Sequence, residues 1–217
     1  MHVVAVLSEK GGAGKTTTAI HLAVAAKIAG LDAVIIDLDP QASAADWADR
    51  RGTPPEAVAI PPARLNKLLG DLLGNGVQLV VIDTGRDSNN AGYTAAQAAD
   101  LILIPLQPGG FDYRALTRTT DLCRLAGKRP FVLLNGLQPG ATRAEADARE
   151  ALAAYECEIA PVSMPRRAAY RQASIISQTA QEAEPESAAA AETVQLYNWV
   201  THQLTLSPTK QRSKEAI

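Results

Sequence analysis

The sequence predicts an α/β protein: a three-layer, doubly wound, mostly parallel sheet flanked by helices. Three observations lead there. Short β-rich apolar runs alternate with longer stretches of helical period along most of the 217 residues. Several runs are apolar without interruption, as strands covered on both faces must be. The β-α-β-α alternation leaves each helix to cross from one parallel strand to the next. With 217 residues and 47% apolar content, a single domain with one substantial sheet accounts for the chain. Residues 1–206 are expected to form it, and 207–217 to be a polar, disordered tail.

In chain order, the first strand is expected at residues 3–7, and a helix at 16–29 is closed by Gly30. The second strand is expected at 33–37. Pro54-Pro55 and Pro61-Pro62 then mark an irregular connection before a helix at 64–73. Gly74 and Gly76 separate that helix from the third strand, 79–83. Strands at 101–105 and 131–135 alternate with helices at 112–126 and 143–155, and 159–162 is a weaker sixth strand. Residues 181–192, rich in Ala and Glu around Pro185, fit a surface loop or a helix start. An amphipathic helix at 192–204 precedes the tail, which carries Lys210, Arg212 and Lys214. There is no internal repeat.

Composition removes several function classes. Charged residues are 20% and the formal charge is −2, which excludes a disordered chain and a uniformly basic nucleic-acid coat. No apolar run approaches the ~20 residues of a membrane span. Aromatics are 4%, too few for base-stacking platforms. The apolar start at 2–7 runs at once into Glu9-Lys10-Gly11-Gly12, so no signal peptide is expected. Cys123 and Cys157 form neither a disulfide framework nor a zinc site, and a reducing cytoplasm is expected. His2, His21 and His202 fall on a strand start, a helix and the C-terminal helix, and nothing groups them as a metal site or triad.

The most informative segment is Ser8-Glu9-Lys10-Gly11-Gly12-Ala13-Gly14-Lys15-Thr16-Thr17. It follows a strand and opens a helix, the setting a phosphate loop requires. Glycines let backbone N–H groups curl around phosphate oxygens, and the helix N-terminus adds partial positive charge. Lys15 supplies a point charge for the β- and γ-phosphates, and the Thr16 hydroxyl is a Mg²⁺ ligand. The strict motif wants Gly where Glu9 stands; this chain instead carries a second lysine, Lys10, inside the loop.

Asp37 and Asp39 end the second strand. Ligands of open parallel sheets bind beyond the strands' carboxyl ends, and residues two apart share a face, so both carboxylates are expected near the loop. An aspartate there is also a common helix N-cap, and for Asp37 the two readings stand side by side. Asp83 ends the third strand, where P-loop enzymes place a Mg²⁺-holding aspartate.

Lys10-Gly11-Gly12-Ala13-Gly14-Lys15-Thr16 resembles the deviant phosphate loop of the ParA/MinD ATPases. Asp37-Leu38-Asp39-Pro40-Gln41 is similar to that family's second aspartate motif in its ParA branch, and Val80-Val81-Ile82-Asp83-Thr84 to its Walker B strand. Pro105-Leu106-Gln107-Pro108 with Asp112-Tyr113, and Met164-Pro165-Arg166-Arg167, also resemble small ParA proteins, so the likeness runs to about Gln178. It implies a P-loop NTPase of the deviant Walker A type, with ATP and Mg²⁺ as cofactors and slow hydrolysis of the phosphoanhydride. Lys10 matches the lysine that reaches across a nucleotide-sandwich dimer, so a homodimer formed on ATP binding is implied. Lys10, Lys15 and Asp39 would be catalytic, with Asp39 orienting the attacking water. Thr16, Asp37 and Asp83 would serve the metal. Gly11, Gly12, Ala13, Gly14 and Thr17 would bind phosphates, with Asn135, Met164 and Pro165 around the adenine. One departure is plain: Gly85-Arg86 stands where the family usually has a proline or two. The loop at 85–90 is therefore expected to respond differently to nucleotide. Arg86 contacts phosphate or a partner, or is a solvated arginine.

Basic residues crowd residues 114–171, which are net positive against an acidic remainder. The resemblance implies sequence-independent DNA binding by the ATP-bound dimer. Arg166, Arg167 and Arg171 are the candidate contacts, against an ordinary solvated face. The implied function is DNA partition by a cytoplasmic, nucleoid-associated ATPase whose hydrolysis a centromere-binding adaptor protein stimulates. The first strand begins at once, so no helix-turn-helix domain and no operator binding are expected. The rivals are a positioning ATPase for a protein cargo of the carboxysome or chemotaxis-cluster type, and a membrane-cycling MinD-like ATPase. The latter needs a basic amphipathic C-terminal helix; Leu196, Trp199, Val200 and Leu204 have few adjacent cations, so they are expected to dock on the core, with no stable membrane association. A bridging iron–sulfur cluster is discounted because Cys123 and Cys157 are expected in helices away from the motifs. A binding module with negligible turnover is the non-enzymatic rival.

Overall fold

Among the described residues seven strands, β1 (His2–Val6), β2 (Ala33–Asp37), β3 (Glu56–Ala59), β4 (Leu79–Asp83), β5 (Leu101–Leu106), β6 (Phe131–Asn135) and β7 (Glu158–Met164), form one sheet. Their order is β3-β2-β4-β1-β5-β6-β7, and every pairing is parallel. The computed structural model describes residues 1–86, 89–109, 112–153, 155 and 157–206. The expected tail at 207–217, and the side chains of Asp112, Tyr113 and Arg114, lie outside the described residues.

The uninterrupted apolar runs explain the sheet. Every residue of β2, β4 and β5 is buried. Alternate side chains feed two separate cores. Val4, Val6, Ile35, Val81 and Leu103 face one. Val3, Ala5, Ile36, Val80, Ile82 and Ile104 face the other. The first core is closed by α1 (Lys15–Ile28), α2 (Ser43–Arg51) and α9 (Ala188–Leu206), with help from α7 (Ala168–Ile175) and α8 (Ala180–Ala183). The second is closed by α3 (Leu65–Gly74), α4 (Asn89–Ala98), α5 (Asp112–Leu125) and α6 (Thr142–Ala153). Helices on both faces give the three layers expected. Leu196, Val200 and Leu204 are buried against the first core, and Trp199 meets Phe131 edge-on at 5.0 Å. The apolar stripe of α9 is thus spent on packing. No helix among the described residues is long and apolar enough to cross a membrane.

The differences from expectation have physical reasons. The connection marked irregular holds β3, an edge strand whose residues are mostly exposed, so it lacks the apolar run that betrays a covered strand. The unexpected α2 is short and largely polar, and α4 is built from small residues. α9 begins at Ala188, inside the stretch read as loop or helix start, just after α8, whose Thr179 and Glu182 form a capping box. Cys123 lies in α5 as expected, but Cys157 sits between α6 and β7 rather than in a helix.

Candidate nucleotide site

The chain leaving β1 turns through Ser8–Gly14 and enters α1 at Lys15. Two backbone positions demand glycine. Gly12 has φ +75°, and Gly14, the residue before the helix, has φ +98°. A Cβ on Gly14 would also lie 2.0 Å from Asn135 Nδ2. That closeness is a clamp: the Asn135 amide, at the end of β6, donates to the Ala13 carbonyl at 2.6 Å. Gln107, just past β5, donates to the Gly12 carbonyl at 2.8 Å. Neighbouring strand ends therefore hold the loop open. The first turn of α1 has no side-chain cap and no acidic residue, so its N–H groups are left for an anion. Glu9, where the strict motif has glycine, is tied to α5: its N–H reaches Thr119 Oγ1 at 3.4 Å and its carboxylate lies 3.8 Å from Arg118.

Beneath the loop, Lys15 is buried and its ammonium donates to the Lys10 carbonyl at 3.1 Å. The Thr16 hydroxyl donates to Asp83 Oδ2 at 2.6 Å. Asp83 is fully buried, and its other oxygen, Oδ1, has no hydrogen-bond partner. Burial pushes its carboxyl up to about 7; the Thr16 hydroxyl and Lys15 oppose that rise, and the Asp37 and Asp39 charges add to it. Asp37 pairs in register with Asp83 and is equally buried. Its Oδ1 accepts the Asp39 N–H at 2.9 Å, and its Oδ2 accepts those of Ala44 and Ala45 at 2.8 and 3.3 Å. Asp37 thus caps the first turn of α2. Burial raises its carboxyl too, and those N–H bonds pull the other way.

These residues fit Mg²⁺ in a definite way. A magnesium ion keeps several waters and takes one or two protein oxygens plus phosphate. The Thr16 hydroxyl and the orphaned Asp83 Oδ1 are such oxygens, whereas both Asp37 oxygens are committed to backbone. Among the described residues there is no group of three or more His, Cys, Asp or Glu that could hold an ion.

Asp39 is half-buried at the mouth of the site, with Oδ1 accepting the Gln41 N–H at 3.0 Å. Gly85 lies directly against it: a Cβ there would stand 3.0 Å from Asp39 Cγ and Oδ1. The next residue, Arg86, is exposed and its guanidinium covers Gly11, whose Cβ would lie 3.4 Å from Nη1.

A cavity of about 550 Å³ opens from Gly12, Gly14 and Thr17 past Gln107 and Asn135 to Pro165. Of the residues expected around the base, Asn135 and Pro165 line it. Met164 does not: it is buried in the first core, where the Thr18 hydroxyl reaches its sulfur at 3.8 Å. Arg166, Arg167 and Arg171, read as candidate DNA contacts, line this same cavity. Arg166 and Arg171 are exposed there. Arg167 is ion-paired to Glu192 of α9, Nη2 to Oε1 at 2.5 Å and Nε to Oε2 at 2.9 Å, and the Tyr170 hydroxyl donates to the same carboxylate.

Two residues have contacts that spacing in the sequence does not show. Gln107 belongs to the Pro105-Leu106-Gln107-Pro108 motif, and its grip on the loop depends on the third dimension. His21, expected on a helix and outside any metal site or triad, donates from Nδ1 to the Thr17 carbonyl at 2.8 Å while its Nε2 accepts the Ala180 N–H at 3.2 Å. That pattern assigns the Nδ1–H tautomer. Burial pushes its pKa down to about 4. His21 therefore ties the first turn of α1 to α8 as a neutral ring.

The model of the CobQ/CobB/MinD/ParA nucleotide binding domain matches residues 4–180. The maintenance of carboxysome distribution protein A of Gloeobacter kilaueensis is 37% identical over 201 residues, 88% of this chain and 92% of that protein. The protein ParA of Rhizobium radiobacter is 32% identical over 114 residues, 52% of this chain and 51% of that one. The cell division ATPase MinD of Pyrococcus furiosus superposes with a TM-score of 0.76 at 17% identity, covering 93% of this chain and 98% of that one, a likeness of fold.

Proposed function

The chain belongs to the CobQ/CobB/MinD/ParA nucleotide-binding family, and from that premise we propose that it is a Mg²⁺-dependent ATP hydrolase of the positioning type, active in DNA partition. The observation that carries the reading is the Thr16–Asp83 pair under an open phosphate loop, with one buried carboxylate oxygen unsatisfied.

The residues divide the work. The N–H groups at the start of α1 and the Lys15 ammonium bind the phosphates. Thr16 and Asp83 would hold Mg²⁺, which would supply positive charge against the phosphates. Asp39 orients the attacking water. Asn135 and Pro165 flank the adenine. Lys10 reaches the nucleotide of a second subunit, so ATP joins two copies into a homodimer. Part of the electrostatic clamp arrives only with that copy, and turnover is accordingly slow. The dimer binds nonspecific DNA, with the exposed Arg166 and Arg171 among its phosphate contacts. Hydrolysis, stimulated by a centromere-binding adaptor protein, releases it.

The likeness to a carboxysome-distribution protein over nearly its whole length favours a second reading, in which the cargo is a protein assembly. Which object loses its regular spacing on gene deletion, a DNA locus or a protein body, separates the two. The common mechanism is tested by size-exclusion chromatography with light scattering on the apo, ADP and non-hydrolysable ATP states. The expected outcome is a doubled mass with Mg²⁺ and the ATP analogue alone, and DNA retention by that species only. A single subunit under saturation in all three states refutes the dimer.

A further inference from the structure

The phosphate loop has two chemically different ends. At Ala13–Gly14 the Asn135 amide closes it on the side of the base cavity. At Lys10–Gly11 the Lys15 ammonium donates to the Lys10 carbonyl. The cation that serves the β- and γ-phosphates thus marks this second end as that of the terminal phosphate.

Arg86 covers the same end. A Cβ on Gly11 would lie 3.4 Å from Arg86 Nη1 and 3.5 Å from Cζ, so the guanidinium rests on the loop backbone because Gly11 has no side chain. The approach is set by the residues before it. The Thr84 hydroxyl donates to the Val6 carbonyl at 3.1 Å and fixes the end of β4 to β1. Gly85 then passes Asp39 so closely that a Cβ would stand 3.0 Å from its carboxylate. Within four residues the chain delivers Asp83 to Thr16, Gly85 to Asp39 and a guanidinium to Gly11. Arg86 is exposed, and among the described residues no ion pair engages it.

We propose that Arg86 binds the terminal phosphate of the nucleotide held by its own subunit, where it selects ATP over ADP and stabilises charge on the transferred phosphoryl group. This assignment rests on the ATPase reading above. In the hydrolysis it assists, an O–P bond forms from water to the γ-phosphorus and the β–γ bridging P–O bond breaks. The protons of water end on phosphate and solvent, and ADP and inorganic phosphate leave. Arg86 neither gives nor takes a proton, since a guanidinium stays charged. Its planar fork presents two parallel N–H donors to a pair of oxygens in a fixed geometry, which the rotatable point charge of an ammonium does not. Loss of such a cation supplied to the transferred phosphoryl group costs 10³–10⁵ in rate in related chemistry.

The test compares Arg86→Ala, Arg86→Lys and Lys15→Ala by calorimetry with Mg²⁺-ADP and a non-hydrolysable ATP analogue, and by phosphate release at saturating ATP. Arg86→Ala is expected to keep ADP affinity within about twofold, to weaken the analogue about tenfold and to lower kcat at least about 10²-fold. Arg86→Lys should recover affinity more than rate. The loss of analogue affinity should persist in a Lys10→Ala background, which removes the cross-subunit lysine; its disappearance there overturns the within-subunit contact. Unchanged analogue preference and kcat in Arg86→Ala, with Lys15→Ala abolishing both affinities, overturn the proposal while leaving the ATPase reading intact. Retained nucleotide binding in Lys15→Ala defeats the ATPase reading itself.

Discussion

The ends of β2 and β4 lie side by side, with Asp37 and Asp83 in register and both fully buried, yet the two carboxylates are satisfied in opposite ways. Asp37 accepts three backbone N–H groups and closes the start of α2. Asp83 accepts one hydroxyl and leaves an oxygen with nothing to bond. A buried, unsatisfied carboxylate costs free energy, and native proteins keep few of them. The difference teaches that sharing a strand end and a residue type does not fix a role. What fixes it is which lone pairs are already taken. Asp37 holds the backbone of Asp39 and the first turn of α2, and Asp83 keeps an oxygen with no hydrogen-bond partner.

The contrast breaks most sharply on substitution. Asp83→Asn keeps an acceptor for Thr16 and removes the ligand's charge. Mg²⁺-dependent phosphate release should fall on the order of 10²-fold or more. The apo melting temperature should not fall, because a neutral amide replaces a desolvated charge. Turnover near the wild-type rate would mean the orphaned oxygen has no part in the site.

Asp37→Ala should do the reverse. It strands the N–H groups of Asp39, Ala44 and Ala45, a loss of about 1–3 kcal/mol. For a chain of this size each kcal/mol lowers Tm by about 2–4 °C. Turnover should fall less than in Asp83→Asn, through a loosened Asp39. An unchanged melting curve with lost Mg²⁺ dependence would make Asp37 a ligand after all, and the distinction between the two strand ends would collapse.

The sequence made the strand ends readable because β2, β4 and β6 are apolar runs that stop at a polar residue, and their bounds coincide with those expected. The loop was readable because Gly12 and Gly14 occupy backbone conformations that favour glycine. Edge strand β3 was not, since three of its four residues are exposed and carry no burial signal. Nor could spacing reveal that Arg167 is held by Glu192, twenty-five positions away on α9, or that Met164 points into the core and not the cavity. Those facts belong to packing between elements distant in the chain. The oddity at Gly85-Arg86 was visible, but its meaning needed the closeness of Asp39 and Gly11.

The most specific expected effect uses titration to read each buried group in turn. Asp83 rises from an ordinary 3.8 to about 7 on folding. Between those values the native chain holds a proton that the unfolded chain has lost, so stability falls as pH rises through the window. Asp37, also raised, acts in the same direction. His21 falls from an ordinary 6.5 to about 4. There the unfolded chain holds the extra proton, so stability rises with pH across that window. The two slopes oppose one another over most of their range and partly cancel in the apo wild type. Asp83→Asn removes one of them. Urea unfolding at a series of pH values should therefore show the variant gaining on the wild type as pH rises toward 7, by at most about 1.4 kcal/mol per pH unit. The gain should level off above 7. Parallel curves for the two proteins would show that Asp83 ionises in the folded chain as it does in water, and that its second oxygen is not sheltered for a cation.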